Sequence, residues 1–338
     1  MQPNKIVVTG AAGFIGSHVA DAVAEKYPNA TLVLFDKMTY AAHADNVLGL
    51  LNRPNVHLEL ADLIDLDACD RATRDADLVI HLAAESHVDN SFGNSLLFTK
   101  SNVLGTHTLA EAARMNNVGR FLHVSTDEVY GQILEGLVDE DGKLNPTNPY
   151  SASKAAAEMV INGYLLSYKM PIQMVRANNI FGIRQYPEKI LPNFILRMHH
   201  GMKLEIHGNG LNRRRYLAAT DFAQGVLRVI EHGKIGEIYN IGSDEEYNNN
   251  EIAQMICEQF GRDPKEWVTY VNDRPFNDAR YAISYDKIAT IGWKRDVSLV
   301  KRIPEMIEWY KANMDRYPQF TEGKKAPGQE KVMRAANS

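Results

Sequence analysis

Short, mainly apolar runs alternate along the first part of the chain with longer segments whose apolar positions recur every third or fourth residue. The short runs fall at 6–9, 32–35, 56–60, 78–82, 121–125 and 172–176, and the longer segments include 15–27, 102–115 and 149–168. Brief runs of mainly apolar residues fit strands of a buried sheet. Strand and helix in alternation predict an α/β fold built on a doubly wound parallel sheet. Ligands of such sheets gather at the carboxyl ends of the strands. After Arg176 the rhythm changes, and turn residues collect at Gly182, Pro187, Pro192 and Gly208-Asn209-Gly210. A further apolar run at 238–241 predicts a strand that rejoins the sheet. The expected organisation is a sheet domain over 1–180, rejoined by about 217–241, and a smaller, discontinuous C-terminal lobe over 181–320. Residues 321–338 have no apolar period and are expected to form a flexible tail.

Charge narrows the partners. The formal net charge is −5 and the pI about 6.1, which argues against a nucleic-acid partner. The two cysteines, Cys69 and Cys257, lie far apart without CxxC spacing or neighbouring histidines. They read as buried small hydrophobes in a reducing compartment, so neither a disulfide nor a metal site is expected. Met1 to Lys5 run straight into the first strand, which leaves no room for a signal peptide. No apolar stretch is long enough to span a membrane. The expected location is cytoplasmic.

The first apolar run is followed by Gly10-Ala11-Ala12-Gly13-Phe14-Ile15-Gly16, which opens a helix. Glycines at a first strand–helix turn let backbone approach a pyrophosphate, and the helix N-terminus adds free N–H groups. Twenty residues later Asp36 ends the second strand. A carboxylate there accepts from ribose hydroxyls and repels a 2′-phosphate, so NAD is the expected cofactor of a Rossmann domain. Lys37 is a small counterweight to that preference. Asp62, just past the third strand, is placed to face an adenine amino group. Leu63 and Ala83 complete the expected cofactor contacts with Gly10, Gly13, Phe14, Ile15 and Gly16.

Two motifs carry the chemistry. Tyr150-Ser151-Ala152-Ser153-Lys154 follows Asn148, a good helix N-cap, and Pro149, a good first helical residue. Tyr150 and Lys154 then lie one turn apart on one face. An ammonium and a nicotinium beside a phenol favour the phenolate, so Tyr150 is expected at a lowered pKa, as a base for a sugar hydroxyl. The spacing is weak by itself, but it occurs once in this chain, after the fifth strand. The second motif, Ser125-Thr126-Asp127-Glu128-Val129-Tyr130-Gly131, places adjacent carboxylates at a strand end, which suits an acid and a base of separate roles.

These residues, with Leu82-Ala83-Ala84-Glu85-Ser86-His87-Val88-Asp89 and Arg176-Ala177-Asn178-Asn179, resemble the extended short-chain dehydrogenase/reductases that act on sugar nucleotides. The Thr126-Asp127-Glu128 triplet narrows the resemblance to nucleotide-sugar 4,6-dehydratases, over roughly residues 5–318. Within that group, Asp273-Arg274-Pro275-Phe276-Asn277-Asp278 has Phe-Asn where bacterial dTDP-glucose enzymes usually have Gly-His. The chain is thereby more similar to UDP-glucose 4,6-dehydratases of rhamnose synthesis, with dTDP-glucose the next substrate. The resemblance implies that Tyr150, tuned by Lys154, serves oxidation at carbon 4, that Glu128 works at carbon 5, and that Asp127 protonates the departing 6-hydroxyl. It implies that Thr126, Ser86 and Asn179 touch the sugar. Arg214, Arg274 and Asn277 would hold the nucleotide's diphosphate side, while Arg213 and Arg215 read as solvated charges. A homodimer packed through 102–115 and 149–168 is also implied. Two alternatives stand beside this: a 4-epimerase or decarboxylase on the same scaffold, which makes no use of Asp127, and a non-catalytic NAD-sensing protein, which needs none of the catalytic set.

Overall fold

A computed structural model describes residues 2–273 and 275–321. The tail expected over 321–338 therefore lies outside the described residues, apart from Thr321 at the end of a last short helix. Among the described residues the main sheet has seven strands: β1 (Lys5–Thr9), β2 (Thr31–Asp36), β3 (Val56–Leu60), β4 (Leu78–His81), β5 (Phe121–Thr126), β6 (Ile172–Ala177) and, much later, β10 (Ile238–Ile241). Their order is β10-β6-β5-β4-β1-β2-β3, and every pairing is parallel. This is the doubly wound arrangement, with the chain reversing direction across the sheet between β1 and β4.

Alternate residues of each central strand serve opposite cores, which is why the runs read as continuously apolar. Ile6, Val8, Leu34 and Ile80 pack with the helices Phe14–Lys26 and Ala219–His232. Val7, Val33, Phe35 and Val79 pack on the other face with Gly105–Met115 and Pro149–Tyr168. Segment 102–115 is not the single helix expected from its period. Thr99–Leu104 is a π-helical turn and the α-helix begins at Gly105. The buried Asn102 side chain accounts for the interruption. It accepts from Glu85 N at 2.8 Å and donates to Glu85 O at 3.0 Å and Ser153 Oγ at 2.9 Å. The wide turn carries it inward to these partners.

The remaining strands build the region that caps the sheet's carboxyl edge. β7 (Asn179–Phe181), β9 (Arg213–Ala218) and β11 (Glu246–Asn248) form a small sheet of order β11-β9-β7, and β8 (Leu204–His207) pairs with β12 (Val268–Val271). A separate core of Phe181, Phe194, Ile206, Tyr216, Ile256 and Tyr310 fills this part. Among the described residues no helix is long and apolar enough to cross a membrane, and no group of three His, Cys, Asp or Glu is arranged to hold a metal ion.

Candidate active site

A single continuous cleft runs along the carboxyl ends of β1 to β6 and is closed from above by residues 177–189. At one end lies the glycine turn. Gly10 has φ +68°, and a Cβ there would come within 2.8 Å of the Ala83 backbone. A Cβ on Gly16 would sit 1.9 Å from the Gly10 carbonyl oxygen, so the helix packs on the turn only because both are glycine. Gly13 caps that helix with no side chain bonded to its first amides, and Gly10, Gly13, Phe14, Ile15 and Gly16 all line the cleft.

Asp36 accepts from Ala12 N at 2.9 Å and Met38 N at 2.8 Å. Each oxygen keeps a lone pair for a further donor. Burial pushes this carboxyl above its ordinary value, against the pull of those amides and of Lys37. Lys37 donates to Ser101 Oγ at 3.1 Å and lies 3.4 Å from Glu85 and 3.9 Å from Asp62. Its charge is therefore committed to protein carboxylates. Asp62, Leu63 and Ala83 line the same end of the cleft.

At the other end, β5 runs into a 3₁₀ turn, Asp127–Tyr130, which Thr126 caps by accepting from Glu128 N at 3.2 Å. Asp127 is 3% exposed and accepts from Asn178 Nδ2 at 2.8 Å and Thr126 Oγ1 at 3.3 Å. Burial, and then the neighbouring Glu128 carboxylate, push Asp127 up to about 7. It is thus a carboxyl that gains and loses its proton near neutrality, next to one that accepts from Asn148 Nδ2 at 3.4 Å. The turn is braced from behind. Tyr130 Oη donates to Asn240 Oδ1 at 2.9 Å and accepts from Arg176 Nη1 at 2.7 Å, and Arg176 pairs at 2.7 Å with the equally buried Glu158.

Tyr150 and Lys154 reach the cleft from the helix Pro149–Tyr168, whose first turn is fixed by an Asn148–Ser151 capping box with Pro149 at its start. Lys154 Nζ donates to Val124 O at 2.8 Å, and burial pushes it down to about 8, with Glu158 opposing. Tyr150 departs from expectation. Burial first, and the Glu128 carboxylate second, push its phenol above the ordinary value; a hydrogen bond with Thr126 acts the other way. The protein's own groups therefore keep Tyr150 protonated, and Lys154, turned to a backbone carbonyl, does not reverse this.

The residues expected at the substrate divide into two places. Ser86, Thr126 and Asn179 line the cleft beside Tyr150. Arg214 and Asn277 lie next to one another, Arg214 Nη2 donating to Asn277 Oδ1 at 3.2 Å with its guanidinium 4.5 Å over the Tyr281 ring. They lie outside the lining of the cleft, yet Arg214 is near enough to act on Asp127. Arg274 lies outside the described residues. Arg215 is not a solvated charge, and Arg213, though 42% exposed, is paired: with Arg280 they converge on the Glu246 carboxylate at 2.7 to 3.2 Å, and against its burial this holds Glu246 down at about 2. The alternation along β9 is what sends Arg214 to the opposite face.

Sequence reasoning missed Asn178, which bonds Asp127, and the wall formed by Gln185, Tyr186, Glu188 and Lys189. The Asn178-Asn179 pair at a strand end was a usable signal for the first. The wall sits in a loop without apolar period and gave none. Ser125 Oγ and Asn179 Oδ1, both in the lining, are buried without a hydrogen-bond partner among the described residues.

The family model described as GDP-mannose 4,6 dehydratase matches residues 7–306. A trifunctional UDP-glucose 4,6-dehydratase/UDP-4-keto-6-deoxy-D-glucose 3,5-epimerase/UDP-4-keto-L-rhamnose-reductase of Arabidopsis thaliana is 41% identical over 317 residues, covering 92% of this chain and 47% of its own. The chain thus spans about half the length of that relative. A dTDP-D-glucose 4,6-dehydratase of Homo sapiens is 42% identical over 320 residues, covering 93% of this chain and 91% of its own. Among solved structures, a dTDP-glucose 4,6-dehydratase from Streptomyces venezuelae with NAD bound superposes with a TM-score of 0.90 at 35% identity, covering 94% of this chain and 99% of its own.

Proposed function

The chain belongs to the nucleotide-sugar 4,6-dehydratases of the extended short-chain dehydrogenase/reductase family, and on that premise we propose that it dehydrates a nucleoside-diphosphate glucose to the 4-keto-6-deoxy sugar nucleotide. The observation that carries this is the buried Asp127 carboxyl, held by Asn178 and Thr126 beside Glu128 in the same cleft as Tyr150 and Lys154, where burial and the neighbouring carboxylate favour its protonated form. An oxidation at carbon 4 alone needs no such acid.

The cleft fits a dinucleotide. The glycine turn leaves no room for side chains at Gly10 and Gly16, helix amides are free of side-chain caps, and the buried Ser125 oxygen in the lining has no partner among the described residues. Gly10 to Gly16 would hold its phosphates, Asp36 the ribose hydroxyls, and Asp62, Leu63 and Ala83 the adenine end. Bound NAD supplies the acceptor for hydride from carbon 4 and its donor to carbon 6. Tyr150 takes the proton of the 4-hydroxyl, with Thr126 holding that oxygen. The new ketone acidifies carbon 5, whose proton Glu128 removes and later returns. Asp127 gives its proton to the 6-hydroxyl, so that water and not hydroxide departs. Ser86 and Asn179 hold the sugar, while Arg214, Arg274 and Asn277 take the nucleotide side.

UDP-glucose is the favoured substrate and dTDP-glucose the next, on the strength of Phe276-Asn277; Asn277 presents its oxygen to Arg214. Incubation with UDP-glucose, dTDP-glucose and GDP-mannose separately, read by mass spectrometry, should show loss of one water most rapidly from UDP-glucose. Loss of water from none of the three would refute the assignment.

The helix Pro149–Tyr168 exposes Ala152, Ala156, Met159, Gly163 and Leu166 along one face, and Leu104 and Met115 are exposed on the adjoining segment. This apolar surface supports a homodimer formed through these helices. Native mass spectrometry of the purified protein should give two chains with one NAD(H) each. A monomer would remove the dimer, and NADP(H) in place of NAD(H) would remove the Asp36 assignment.

A further inference from the structure

The loop after β2 has no regular structure, but it is held at several points. Asp36 draws Met38 N to itself, Met38 takes φ +54°, and Ala42 N closes a turn on Thr39 O. These contacts aim Tyr40 across the mouth of the cleft. Its hydroxyl donates to Glu188 Oε2 at 2.7 Å and accepts from Asn90 Nδ2 at 3.1 Å. Its ring meets Tyr186 edge-on, with centroids 5.2 Å apart. Burial, and then the adjacent carboxylate, push this phenol above its ordinary value, so Tyr40 is the donor of the pair. Glu188 is well buried too, with His87 Nδ1 3.8 Å away. Lys189 Nζ makes a second crossing, to Ser86 O at 3.0 Å.

Tyr40 and Glu188 are 148 residues apart in sequence and belong to opposite walls. Thr39, Ala41 and Ala42 line the wall built on the sheet, and Tyr186, Glu188 and Lys189 line the wall that caps it. A hydrogen bond joining these two segments closes the cleft at the end where Asp36 and the glycine turn lie. A phenol–carboxylate bond is charge-assisted, roughly twice as strong as a neutral one, yet it is a single contact that one opening motion can break.

We propose that the Tyr40–Glu188 bond is a strap that retains the dinucleotide across the whole reaction, and that Tyr40 is a positioning residue for a cofactor used twice in each cycle. This rests on the dehydratase reading above. Hydride taken from carbon 4 must return at carbon 6 of the same sugar, so a cofactor that escapes between the two steps strands the sugar half-converted. None of the groups assigned to bind phosphates or ribose spans both walls; Tyr40 with Glu188 does.

The test is the rate at which bound NAD leaves the purified holoprotein, followed by displacement with excess labelled NAD and without any sugar nucleotide. Tyr40→Phe keeps the ring against Tyr186 and removes only the hydroxyl. It should release NAD on the order of tenfold faster, as loss of a hydrogen bond to a charged group allows. The bond is made without the dinucleotide as well, so the cofactor-free protein should melt somewhat lower, by no more than the loss of one hydrogen bond allows. In turnover, added NAD should raise the rate of Tyr40→Phe and leave wild type unaffected. Glu188→Gln keeps an acceptor oxygen without the charge and should fall between the two, which preserves the test if Tyr40→Phe does not fold. Release at the wild-type rate from both variants overturns the strap alone. A wild-type protein that holds no nicotinamide cofactor overturns both the strap and the dehydratase reading.

Discussion

An Asp127→Asn enzyme is expected to oxidise its sugar and then stall. Asparagine keeps the size of Asp127 and its contact with Asn178, but it has no proton to give. On the proposed mechanism, oxidation at carbon 4 falls to Tyr150 and Lys154 on the helix Pro149–Tyr168 and should proceed. Expulsion of hydroxide without an acid should be slower by roughly 10²- to 10⁴-fold, the usual range for general acid catalysis. Reduced cofactor would then accumulate in a single turnover, visible in its ultraviolet absorbance. The pH dependence follows from the sign of the shift. Asp127 is raised, so it holds its proton below about 7 and loses it above. Wild-type kcat/KM should therefore decline as pH rises through about 7, and that limb should be absent from Asp127→Asn. In wild type, solvent deuterium should appear at carbon 5 of the product, delivered by Glu128. Water loss from Asp127→Asn at the wild-type rate would exclude Asp127 as the acid.

Tyr150→Phe is expected to fail one step earlier. Its phenol is protonated in the protein alone, and both burial and Glu128 hold it so. On the proposed mechanism, the proton it takes from the 4-hydroxyl must be matched by positive charge arriving with the cofactor, which the phenylalanine ring cannot exploit. Turnover should fall on the order of 10²-fold or more, about 2.7 kcal/mol of transition-state stabilisation. No reduced cofactor should build up, in contrast to Asp127→Asn. The two variants together separate the oxidation from the elimination. Near-normal turnover in Tyr150→Phe would remove Tyr150 from the mechanism.

What the sequence disclosed and what it hid divide by the range of the interactions involved. Most strands of the main sheet are legible because they are buried on both faces, and Ile238–Ile241 could be placed with them for the same reason; the edge strand Val56–Leu60 is largely exposed and shows instead by its apolar alternation. The glycine turn and the Asn148–Pro149 helix start are local devices, written within a few residues. The π turn at Thr99–Leu104 is not, because its cause is Asn102 reaching Glu85 and Ser153. Arg213 and Arg215 looked solvated because Glu246, which gathers them, lies on a different strand. The cleft wall at Tyr186 to Lys189 stayed invisible for a similar reason: its partners Tyr40 and Ser86 are far away in sequence. The raised Tyr150 phenol of the protein alone reflects its burial and Glu128, neither of which the Tyr-x-x-x-Lys spacing discloses; the lowering expected from a nicotinium belongs to the cofactor-bound state.

The last sheet strand has a bearing on how the chain is made. β6 is buried along its whole length, and its outer neighbour β10 comes only after the small sheet's β7 and β9 have been made. During synthesis on the ribosome, the Ile172–Ala177 edge therefore emerges complete but unpaired, and it stays so until residue 241 has followed it. A bare, apolar parallel edge is a template for other nascent chains. While about 65 further residues are polymerised, at roughly 5–20 per second, that edge is open to the wrong partner for several seconds or more.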